Sequence, residues 1–356
     1  MKILVIQSKM IGDVLTSSIL FEALREKFPN ARLVFAINNS TKPVVENNPF
    51  IDDLITLDAS EDGESPGLLQ NSIRIRKEKF DVVIDAYGKI SSNLISFFSG
   101  AKKRISKHKY YTFFLYSDAV IYNKYPKSKA GLAIENRLQL LNPLGINPAN
   151  PIRPKIYLTD AEINNAEQQL KSFHVDLNHP VFMISALGSS DSKTYPLVYM
   201  ASVIDHIVEI TGGAILLNYI PNQAPDIEKL IKLCSPSTRG KIIPELYGKS
   251  LRNFLALTSF CTALIGNEGG AVNMAKALSI PTFTIFSPWI DKLTWSIFEG
   301  DDHVSVHLID FDHDVYKGCH VSDFKKESLP LYQRFKPELF LDHLTQYLNR
   351  FKDKNA

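Results

Sequence analysis

The sequence predicts an α/β protein with two doubly wound domains, each a parallel β-sheet covered by helices, that face one another across a cleft. The first observation is length, because 356 residues exceed the usual size of one domain. The second is that short apolar runs alternate with helical patterns along nearly the whole chain. The third is the proline-rich stretch 148–154, after which this alternation starts again. We therefore expect domains at 1–150 and 151–335, and a C-terminal helix within 336–356 that packs back on a domain.

The first half begins with a strand, 2–7, whose nearly continuous apolar character is typical of a parallel strand buried on both faces. Asp13 is expected to open a helix that ends near Phe28, because Pro29 and Asn30 follow. The acidic, turn-rich run 59–67 is expected to be a mobile loop. The remaining predicted elements are strands at 32–37, 53–57 and 81–86, a helix-like connector at 44–49, and helices at 68–80, 91–99 and 134–141.

The second half repeats the alternation of strands and helices. Thr159 is the predicted N-cap of a helix over 160–173, and a polar loop, 187–193, follows the first strand of this half. The predicted strands are 181–186, 214–218, 263–266 and a short one at 241–243, and the other predicted helices are 198–211, 226–233, 250–258 and 337–351.

The stretch 265–289, read as strand, glycine turn, helix and second strand, predicts a phosphate site. Gly269 and Gly270 allow close approach of a ligand to the backbone, and the first N–H groups of the helix suit an anion. Small residues such as Ala271 let the helix lie near the sheet. The alternative is a tight strand-to-helix turn in which Glu268 is only a first-turn acid. The chain lacks both a P-loop and a G-x-G-x-x-G motif, so the ligand class must be inferred from other residues.

Composition is that of an ordinary globular protein, with 45% apolar and 22% charged residues. Cys234, Cys261 and Cys319 are far apart, odd in number and without metal-type spacing, which indicates a reducing compartment. The first strand follows Met1 and Lys2 too closely for a signal peptide, and no apolar run approaches the ~20 residues of a membrane span. We expect a cytoplasmic protein.

Positive charge is concentrated in the first half. Residues 1–160 carry 22 Lys and Arg against 16 Asp and Glu, whereas 161–356 carry 18 against 22, which gives +6 and −4. Between 102 and 129, a basic and aromatic mixture suits an anionic membrane surface, a phosphorylated glycolipid or single-stranded nucleic acid. The alternative is a β-rich segment with solvated lysines.

The chain resembles the family 9 glycosyltransferases, which are the ADP-heptose:lipopolysaccharide heptosyltransferases and their relatives. Four segments in the same order carry the resemblance: ILVIQSKMIGDVLTSSILFEALREKFPNARLVFA, FDVVIDAYGKISSNLISFFSGAKKRI, ALGSSDSKTYP and LYGKSLRNFLALTSFCTALIGNEGGAVNMAKALSIPTFTIFSP. The resemblance implies two Rossmann-like domains of the GT-B type. It also implies inverting, metal-independent transfer of a heptose or related sugar from a nucleotide-diphosphate sugar to a lipopolysaccharide core-type acceptor, with no cofactor.

The resemblance assigns roles to individual residues. Asp13, after Gly12, falls on the family's Gly-Asp position and would be the general base that takes the acceptor proton. The alternative is that Asp13 caps its helix. Lys193 falls on the family's lysine in the loop after the first strand of the second domain, where a cation would stabilise the leaving diphosphate. Ser189 and Ser190 would donate hydroxyl hydrogen bonds to the same phosphates.

Two residues depart from the family pattern. Glu268 stands where the family usually has Asp, and Asn273 stands where it has His. Because Asn cannot carry a charge, Lys193 or Lys276 would have to supply more of the positive charge. The donor site is therefore expected to contain Gly12, Ser189, Ser190, Asp226, Glu268, Gly269, Gly270, Ala271 and Asn273. For Asp226, which rests on a loose alignment, the alternative is an ordinary surface helix start.

The acceptor is expected to bind basic residues of the first domain, because phosphorylated lipopolysaccharide is anionic and arginine matches phosphate geometrically. The candidates are Arg74, Arg76, Lys77, Lys102, Lys103 and Arg104, with a solvated basic helix face as the alternative. The expected partners are thus an ADP-heptose-like donor, an anionic glycolipid and, peripherally, the cytoplasmic face of the inner membrane, without nucleic acid. Rival functions are a sugar-nucleotide epimerase or hydrolase, and a non-catalytic protein that binds glycolipid or nucleic acid.

A last cluster of metal-ligand residue types precedes the final helix. Its spacing fits no familiar metal site, so we expect a polar surface loop and no bound metal. The residues are His303, His307, His313, His320, Asp310, Asp312, Asp314 and Cys319.

Overall fold

The computed structural model describes residues 1–58 and 67–352. The run 59–66, which is nearly all of the expected mobile loop, lies outside the described residues, as do the last four residues of the expected C-terminal segment. The chain forms two compact units. The first contains Met1–Tyr157 and Leu293–Ile297, and the second contains Leu158–Lys292 and Phe298–Ala356.

The first unit contains a parallel sheet with the strand order β3-β2-β1-β4-β5-β6. Its central strand β1 is almost entirely buried, as its nearly continuous apolar sequence predicts. The strands are β1 (Lys2–Ile6), β2 (Arg32–Ile37), β3 (Asp53–Thr56), β4 (Val82–Asp85), β5 (Lys103–Lys107) and β6 (Asp118–Val120). The helices are α1 (Ile11–Ser17), α2 (Ile19–Lys27), α3 (Leu68–Lys77), α4 (Ile90–Phe98) and α5 (Leu132–Gln139).

The predicted helix 13–28 is wrong in its start and in its continuity. Helix α1 begins at Ile11 with Met10 as the N-cap, so Asp13 lies in the first turn and is not the cap. The helix is interrupted at Ser18, whose hydroxyl donates to the carbonyl of Leu15 at 2.7 Å, and α2 then begins. The connector expected at 44–49 is instead a 3₁₀-helix at Asn39–Val44.

The order of the first sheet reverses direction between β1 and β4, because the chain runs outward to β3 and then returns to the other side of β1. Ligands of doubly wound sheets bind outside the carboxyl ends of the strands at such a reversal. The loop after β1 leads to Asp13, and the turn after β4 contains Tyr87 and Gly88.

The second unit has a parallel sheet with the order β11-β10-β9-β7-β8, which reverses between β7 and β9. The strands are β7 (Val181–Ser185), β8 (Ala214–Leu217), β9 (Ala263–Asn267), β10 (Thr282–Ile285) and β11 (His303–Val306). The helices are α6 (Asp160–Ser172), α7 (Leu197–Thr211), α8 (Ala224–Leu233), α9 (Pro236–Arg239), α10 (Leu251–Thr258), α11 (Gly270–Ala277), α13 (Ser328–Arg334) and α14 (Leu341–Asn349). The short helix α12 (Lys292–Trp295) belongs to the first unit except for Lys292.

Local signals position several elements of the second unit. The Thr159 hydroxyl accepts from the backbone N–H of Glu162 at 3.3 Å, so the predicted cap of α6 is confirmed. The strand predicted at 241–243 is wrong, because only a single bridge joins Ile242 to Ile215. The helix predicted from 337 begins as a 3₁₀-turn and continues as α14, which packs against α7.

The polar surface loop predicted before the last helix is wrong for two of its histidines. His303 is buried in β11, and its Nδ1 lies 3.2 Å from the Thr282 hydroxyl. His307 is fully buried, its Nδ1 accepts from the backbone N–H of Ile309 at 2.9 Å, and burial lowers its pKa to about 4. The sequence suggested exposure because His and Asp are common at surfaces, whereas His303 begins the buried strand β11 and His307 directly follows it.

No helix among residues 1–58 and 67–352 has the length and apolar character needed to cross a membrane. In the same part of the chain, no group of three or more His, Cys, Asp and Glu side chains is arranged to hold a metal ion.

Candidate active site

In the first unit, Asp13 forms an ion pair with Arg137, a residue that the sequence did not single out. The Asp13 side chain is 27% exposed and that of Arg137 is 12% exposed. Arg137 projects from α5 and is held by its Nε, which donates to the Ser17 hydroxyl at 2.9 Å, and by the ring of Trp295 at 6.0 Å. Asp13 thus has a fixed orientation and an accessible face, as a carboxylate that takes a proton from a ligand requires.

A second carboxylate lies at the same strand reversal. Asp85, the last residue of β4, is fully buried and accepts from the Gly88 N–H at 2.8 Å and from the Tyr116 hydroxyl at 2.6 Å. Burial raises the pKa of Asp85, whereas these hydrogen bonds oppose that rise. Because Asp85 has no exposed surface, we assign it to fixing the turn after β4.

The predicted acceptor residues differ in whether their charged groups are exposed to solvent or hydrogen-bonded to backbone carbonyls. Arg74, Arg76 and Lys77 lie on exposed positions of α3, where Arg76 reaches the carbonyl of Phe98 at 3.5 Å. Arg104 instead donates to the carbonyls of Ala101 and Leu115 at 2.6 and 3.0 Å.

The ammonium group of Lys103 donates to the carbonyl of Pro143, whereas Lys102 is exposed. Lys102 and the α3 cations are therefore better placed for a ligand than Lys103 and Arg104.

The basic and aromatic run forms a largely exposed surface in the first unit, and we call it the aromatic surface. Its side chains are open to solvent to a degree that is unusual for aromatic residues, with Tyr110 at 83% and Phe114 at 68% exposed. Arg104 stacks on Phe97 at 5.8 Å and so joins the end of α4 to this surface. The surface comprises Phe97, Phe98, Tyr110, Tyr111, Phe113, Phe114, Ile121 and Tyr125.

In the second unit, the structure brings together two predicted site residues from different segments. Lys193 follows β7 and Glu268 follows β9, so both lie at the carboxyl ends of the strands that flank the sheet reversal. The Lys193 Nζ is 3.4 Å from Glu268 Oε1, which is an ion-pair contact. The Glu268 side chain is only 9% exposed. Burial raises the pKa of Glu268, and the charge of Lys193 opposes that rise.

Asn267, the residue before Glu268, fixes the loop that carries Lys193. Its amide nitrogen donates to the carbonyls of Ser185 and Ala186 at 3.0 and 2.7 Å, and its oxygen accepts from the N–H of Tyr195 at 2.7 Å. Gly188 lets the two ends of the loop approach, because a Cβ there would lie 2.3 Å from the Lys193 carbonyl oxygen. A buried side chain therefore holds both ends of the loop.

Replacing Asn267 with Ala is expected to lower the free energy of unfolding by about 2–4 kcal/mol, because three buried backbone groups lose their partner. Urea denaturation followed by circular dichroism measures this loss. The exposed α6 substitution Asn164→Ala is the control, with an expected change below about 0.5 kcal/mol. An Asn267→Ala protein as stable as the control would contradict the assigned role.

The predicted phosphate turn adopts a conformation that requires glycine. Gly269 is the N-cap of α11 with φ +143°, and a Cβ built there would meet no atom within 4 Å, so space beyond it is open. Gly270 and Ala271 open the helix, whose first N–H groups are left for a ligand or solvent. Asn273 lies in the same helix and is buried.

The second cation suggested by the sequence, Lys276, lies near the other end of this helix. It is buried in the last turn of the eight-residue α11. Six residues of helix separate its backbone from Gly270, which is about 9 Å along the axis. That Lys276 supplies charge at the turn therefore stays a prediction, and it requires the side chain to reach back along the helix.

The other predicted donor residues are exposed or engaged locally. Ser189 is exposed, and the Ser190 hydroxyl lies 3.1 Å from that of Ser192. Asp226 lies in the first turn of α8 and pairs with Lys229 at 2.9 Å, which is the arrangement that its alternative interpretation described.

Trp289 was not predicted as a site residue, although it ends the stretch 265–289. Its indole nitrogen donates to the Ser192 carbonyl at 2.8 Å, next to Lys193. The ammonium groups of Lys193 and Lys325 lie 5.5 and 5.1 Å from the centroid of its ring. A Ser-Pro-Trp sequence directly after a strand was the only available signal.

Comparisons with known proteins agree on one family. A family model described as glycosyltransferase family 9 (heptosyltransferase) matches residues 71–319, more than half of the chain, although this range does not include Asp13. Lipooligosaccharide heptosyltransferase 2 of Haemophilus influenzae is 22% identical over 358 residues, which covers 98% of this chain and 99% of the relative. Lipopolysaccharide heptosyltransferase 2 of Escherichia coli is 21% identical over 297 residues, which covers 81% and 83%.

Solved structures show the same fold. The ADP-heptose lipopolysaccharide heptosyltransferase II of E. coli has a TM-score of 0.72 at 17% identity, with 98% of this chain and 99% of that chain covered. A second E. coli heptosyltransferase, solved with ADP-2-deoxy-2-fluoro heptose, has a TM-score of 0.63 at 14% identity, with 94% of this chain and 99% of that chain covered. The prediction of two Rossmann-like α/β domains of the GT-B type is thus confirmed.

Proposed function

Because the chain belongs to glycosyltransferase family 9 and is a glycosyltransferase, we propose that it moves a heptose or related sugar from a nucleotide-diphosphate sugar to a lipopolysaccharide core-type acceptor. The reaction inverts the anomeric carbon and uses no metal. The named relatives are heptosyltransferases of lipopolysaccharide or lipooligosaccharide, and one neighbour of the same fold was solved with an ADP-heptose analogue, which supports the donor and acceptor classes.

In the proposed reaction, Asp13 accepts the proton of the acceptor hydroxyl while its oxygen attacks the anomeric carbon. The new glycosidic bond forms as the bond between that carbon and the β-phosphate oxygen breaks, and the nucleoside diphosphate leaves with the electron pair. A single displacement inverts the configuration. Lys193 and the first N–H groups of α11 stabilise the charge that develops on the leaving diphosphate. Ser189, Ser190 and Gly269 would complete its contacts, and Arg137 holds Asp13 in position.

The observation that carries this proposal is the meeting of Lys193, Glu268 and the open α11 turn at the reversal of the second sheet. A thermal-shift screen with ADP-, GDP-, UDP- and CMP-sugars tests it, because a bound donor stabilises the fold by mass action. The stabilising donor is then incubated with and without lipopolysaccharide core acceptors. Release of nucleoside diphosphate only with acceptor is expected, whereas release without acceptor would indicate a hydrolase or epimerase.

For the acceptor, we propose that exposed cations of the first unit bind its phosphates. Arg74, Arg76 and Lys77 on α3, together with Lys102, carry the accessible charge, and Arg76 lies against the end of α4 beside the aromatic surface. Arginine suits this role since its guanidinium can bind two phosphate oxygens at once.

We also propose that the aromatic surface rests on the anionic cytoplasmic face of the inner membrane, where a lipid-linked acceptor would be available. Exposed rings pack in pairs, such as Tyr110 with Tyr111 at 5.1 Å, and Lys107 and Lys109 lie over Tyr122 and Tyr111. Aromatic rings suit the headgroup region, and lysines are attracted to anionic lipids.

Vesicle sedimentation tests this contact. The protein is expected to bind phosphatidylglycerol vesicles more tightly than phosphatidylcholine vesicles, and 0.5 M salt should weaken the binding. The double variant Tyr110→Ser/Phe114→Ser is expected to bind about tenfold more weakly, since two exposed rings no longer enter the interface. Val198→Ser/Ile220→Ser, at exposed positions of the second unit, is the matched control. Equal binding of both variants would refute the contact without affecting transfer to a soluble, deacylated acceptor.

A further inference from the structure

We infer that Lys325 is a second cation of the diphosphate site, where it binds the phosphates of the nucleotide sugar together with Lys193. This inference rests on the proposed function, because it adds a residue to the same site. It starts from the ring of Trp289, whose centroid lies 5.5 Å from the Lys193 ammonium and 5.1 Å from that of Lys325. The ammonium groups of two lysines that are far apart in sequence therefore contact the same indole ring.

The indole has a fixed position relative to Lys193. Its Nε1 donates to the Ser192 carbonyl at 2.8 Å, and the Ser287 hydroxyl donates to the same oxygen at 2.7 Å. The residue before Lys193 is thus tied to both sides of the Ser287–Trp289 turn. The ring of Trp289 is therefore held next to the loop 187–193, and an ammonium group within about 6 Å of its centroid is attracted to it.

The segment that carries Lys325 is anchored on both sides. Before it, Phe324 packs edge-on against Tyr316 at 5.3 Å, and the Tyr316 hydroxyl donates to the carbonyl of Pro288 at 2.8 Å. After it, helix α13 places Tyr332 against Tyr195 at 5.8 Å. The backbone at Lys325 is therefore held beside Trp289 and beside the end of the Lys193 loop.

The charges at this place are incompletely balanced. Lys193 has Glu268 as its ion-pair partner at 3.4 Å. Lys325 contacts the ring of Trp289 and forms no ion pair with any residue in the described part of the chain. Two ammonium groups on one ring repel each other, and the ring attracts each only weakly. An anion that contacts both relieves this repulsion, and a diphosphate has enough charge and length to do so.

Lys325 can also supply the positive charge that is missing at position 273. Family 9 glycosyltransferases usually have a histidine at this position, whereas the asparagine of this chain, Asn273, cannot carry a charge. Lys276 lies toward the opposite end of α11, in its last turn, and is buried. Lys325 is exposed, and its ammonium group contacts the same Trp289 ring as that of Lys193.

Isothermal titration of the full chain with ADP, GDP and UDP tests this inference. For the diphosphate that binds most tightly to the unaltered protein, Lys325→Ala is expected to raise Kd about tenfold or more, because a charged contact with phosphate is lost. The corresponding monophosphate should lose less affinity. Lys325→Arg keeps a cation that can stack on Trp289, so its Kd is expected to stay within about threefold.

Lys326→Ala is the matched control, because it removes a neighbouring exposed lysine that does not contact Trp289, and no change in Kd is expected. Unliganded thermal midpoints show whether each variant is folded. If Lys325→Ala binds as tightly as the unaltered protein while Lys193→Ala binds more weakly, the inference is refuted and the proposed function stands. If the unaltered protein binds no nucleoside diphosphate, both are refuted.

Discussion

Asp13→Asn is expected to lower kcat by about 10²- to 10⁴-fold while the Kd for the nucleoside diphosphate stays nearly unchanged. Asparagine has the same shape as aspartate but cannot accept the proton of the acceptor hydroxyl. The loss should appear in kcat because the contact matters in the transition state and not in donor binding. The amide can still accept a hydrogen bond from Arg137, so the loop should keep its position.

A transfer assay combined with calorimetry measures both quantities. Glu22→Gln is the matched control, because Glu22 lies in α2 of the same unit and pairs with Lys155 at its surface. The control is expected to retain full turnover. Normal turnover by Asp13→Asn would remove Asp13 from the chemistry, and a parallel loss of donor affinity would assign it to binding instead.

Lys193→Ala is expected to lower kcat by about 10²- to 10³-fold, which is typical when a group that stabilises developing charge is removed. It also leaves Glu268 buried without its cation. Burial raises the pKa of Glu268 and Lys193 opposes that rise, so removing Lys193 should raise this pKa further. As pH falls, Glu268 becomes neutral and repels the diphosphate less. The relative loss of activity should therefore be smaller at acidic pH than at pH 8.

The double variant Lys193→Ala/Glu268→Gln checks this explanation. It removes the unpaired carboxylate and is expected to recover part of the donor affinity, with little pH dependence of what remains lost. Lys171→Ala, in an exposed pair with Glu167 on α6, is the control for removing a lysine from the same unit. If Lys193→Ala retains normal kcat at every pH, leaving-group stabilisation must come from other residues.

Much of the fold could be predicted because its signals are local. Strand β2 has the predicted bounds 32–37, and Thr159 caps α6 as predicted. Apolar runs and capping residues act over one or two turns of chain, so a sequence read in windows contains them. The break at Ser18 was missed because it depends on a side-chain hydrogen bond within an otherwise continuous helical pattern.

The candidate site was only partly predictable. Lys193 and Glu268 were identified from loops that follow strands and from a family resemblance, and the structure brings them within 3.4 Å. Their roles, like that of Asp13, stay predictions until the variants are measured. Asn267 was missed although it directly precedes Glu268, because its function is to satisfy backbone groups of a loop more than 70 residues earlier.

The sequence by itself determined the α/β alternation, the two-unit organisation and the residue types available at each strand end. Only the tertiary structure decided which of these ends are neighbours: strand order reverses at β1/β4 and at β7/β9, and no local pattern encodes that order. It paired Asp13 with Arg137 across 124 residues and put Lys193 and Lys325 on one indole. It also buried His307 against its usual preference. Contacts of this kind depend on packing between distant segments, which residue spacing along the chain does not contain.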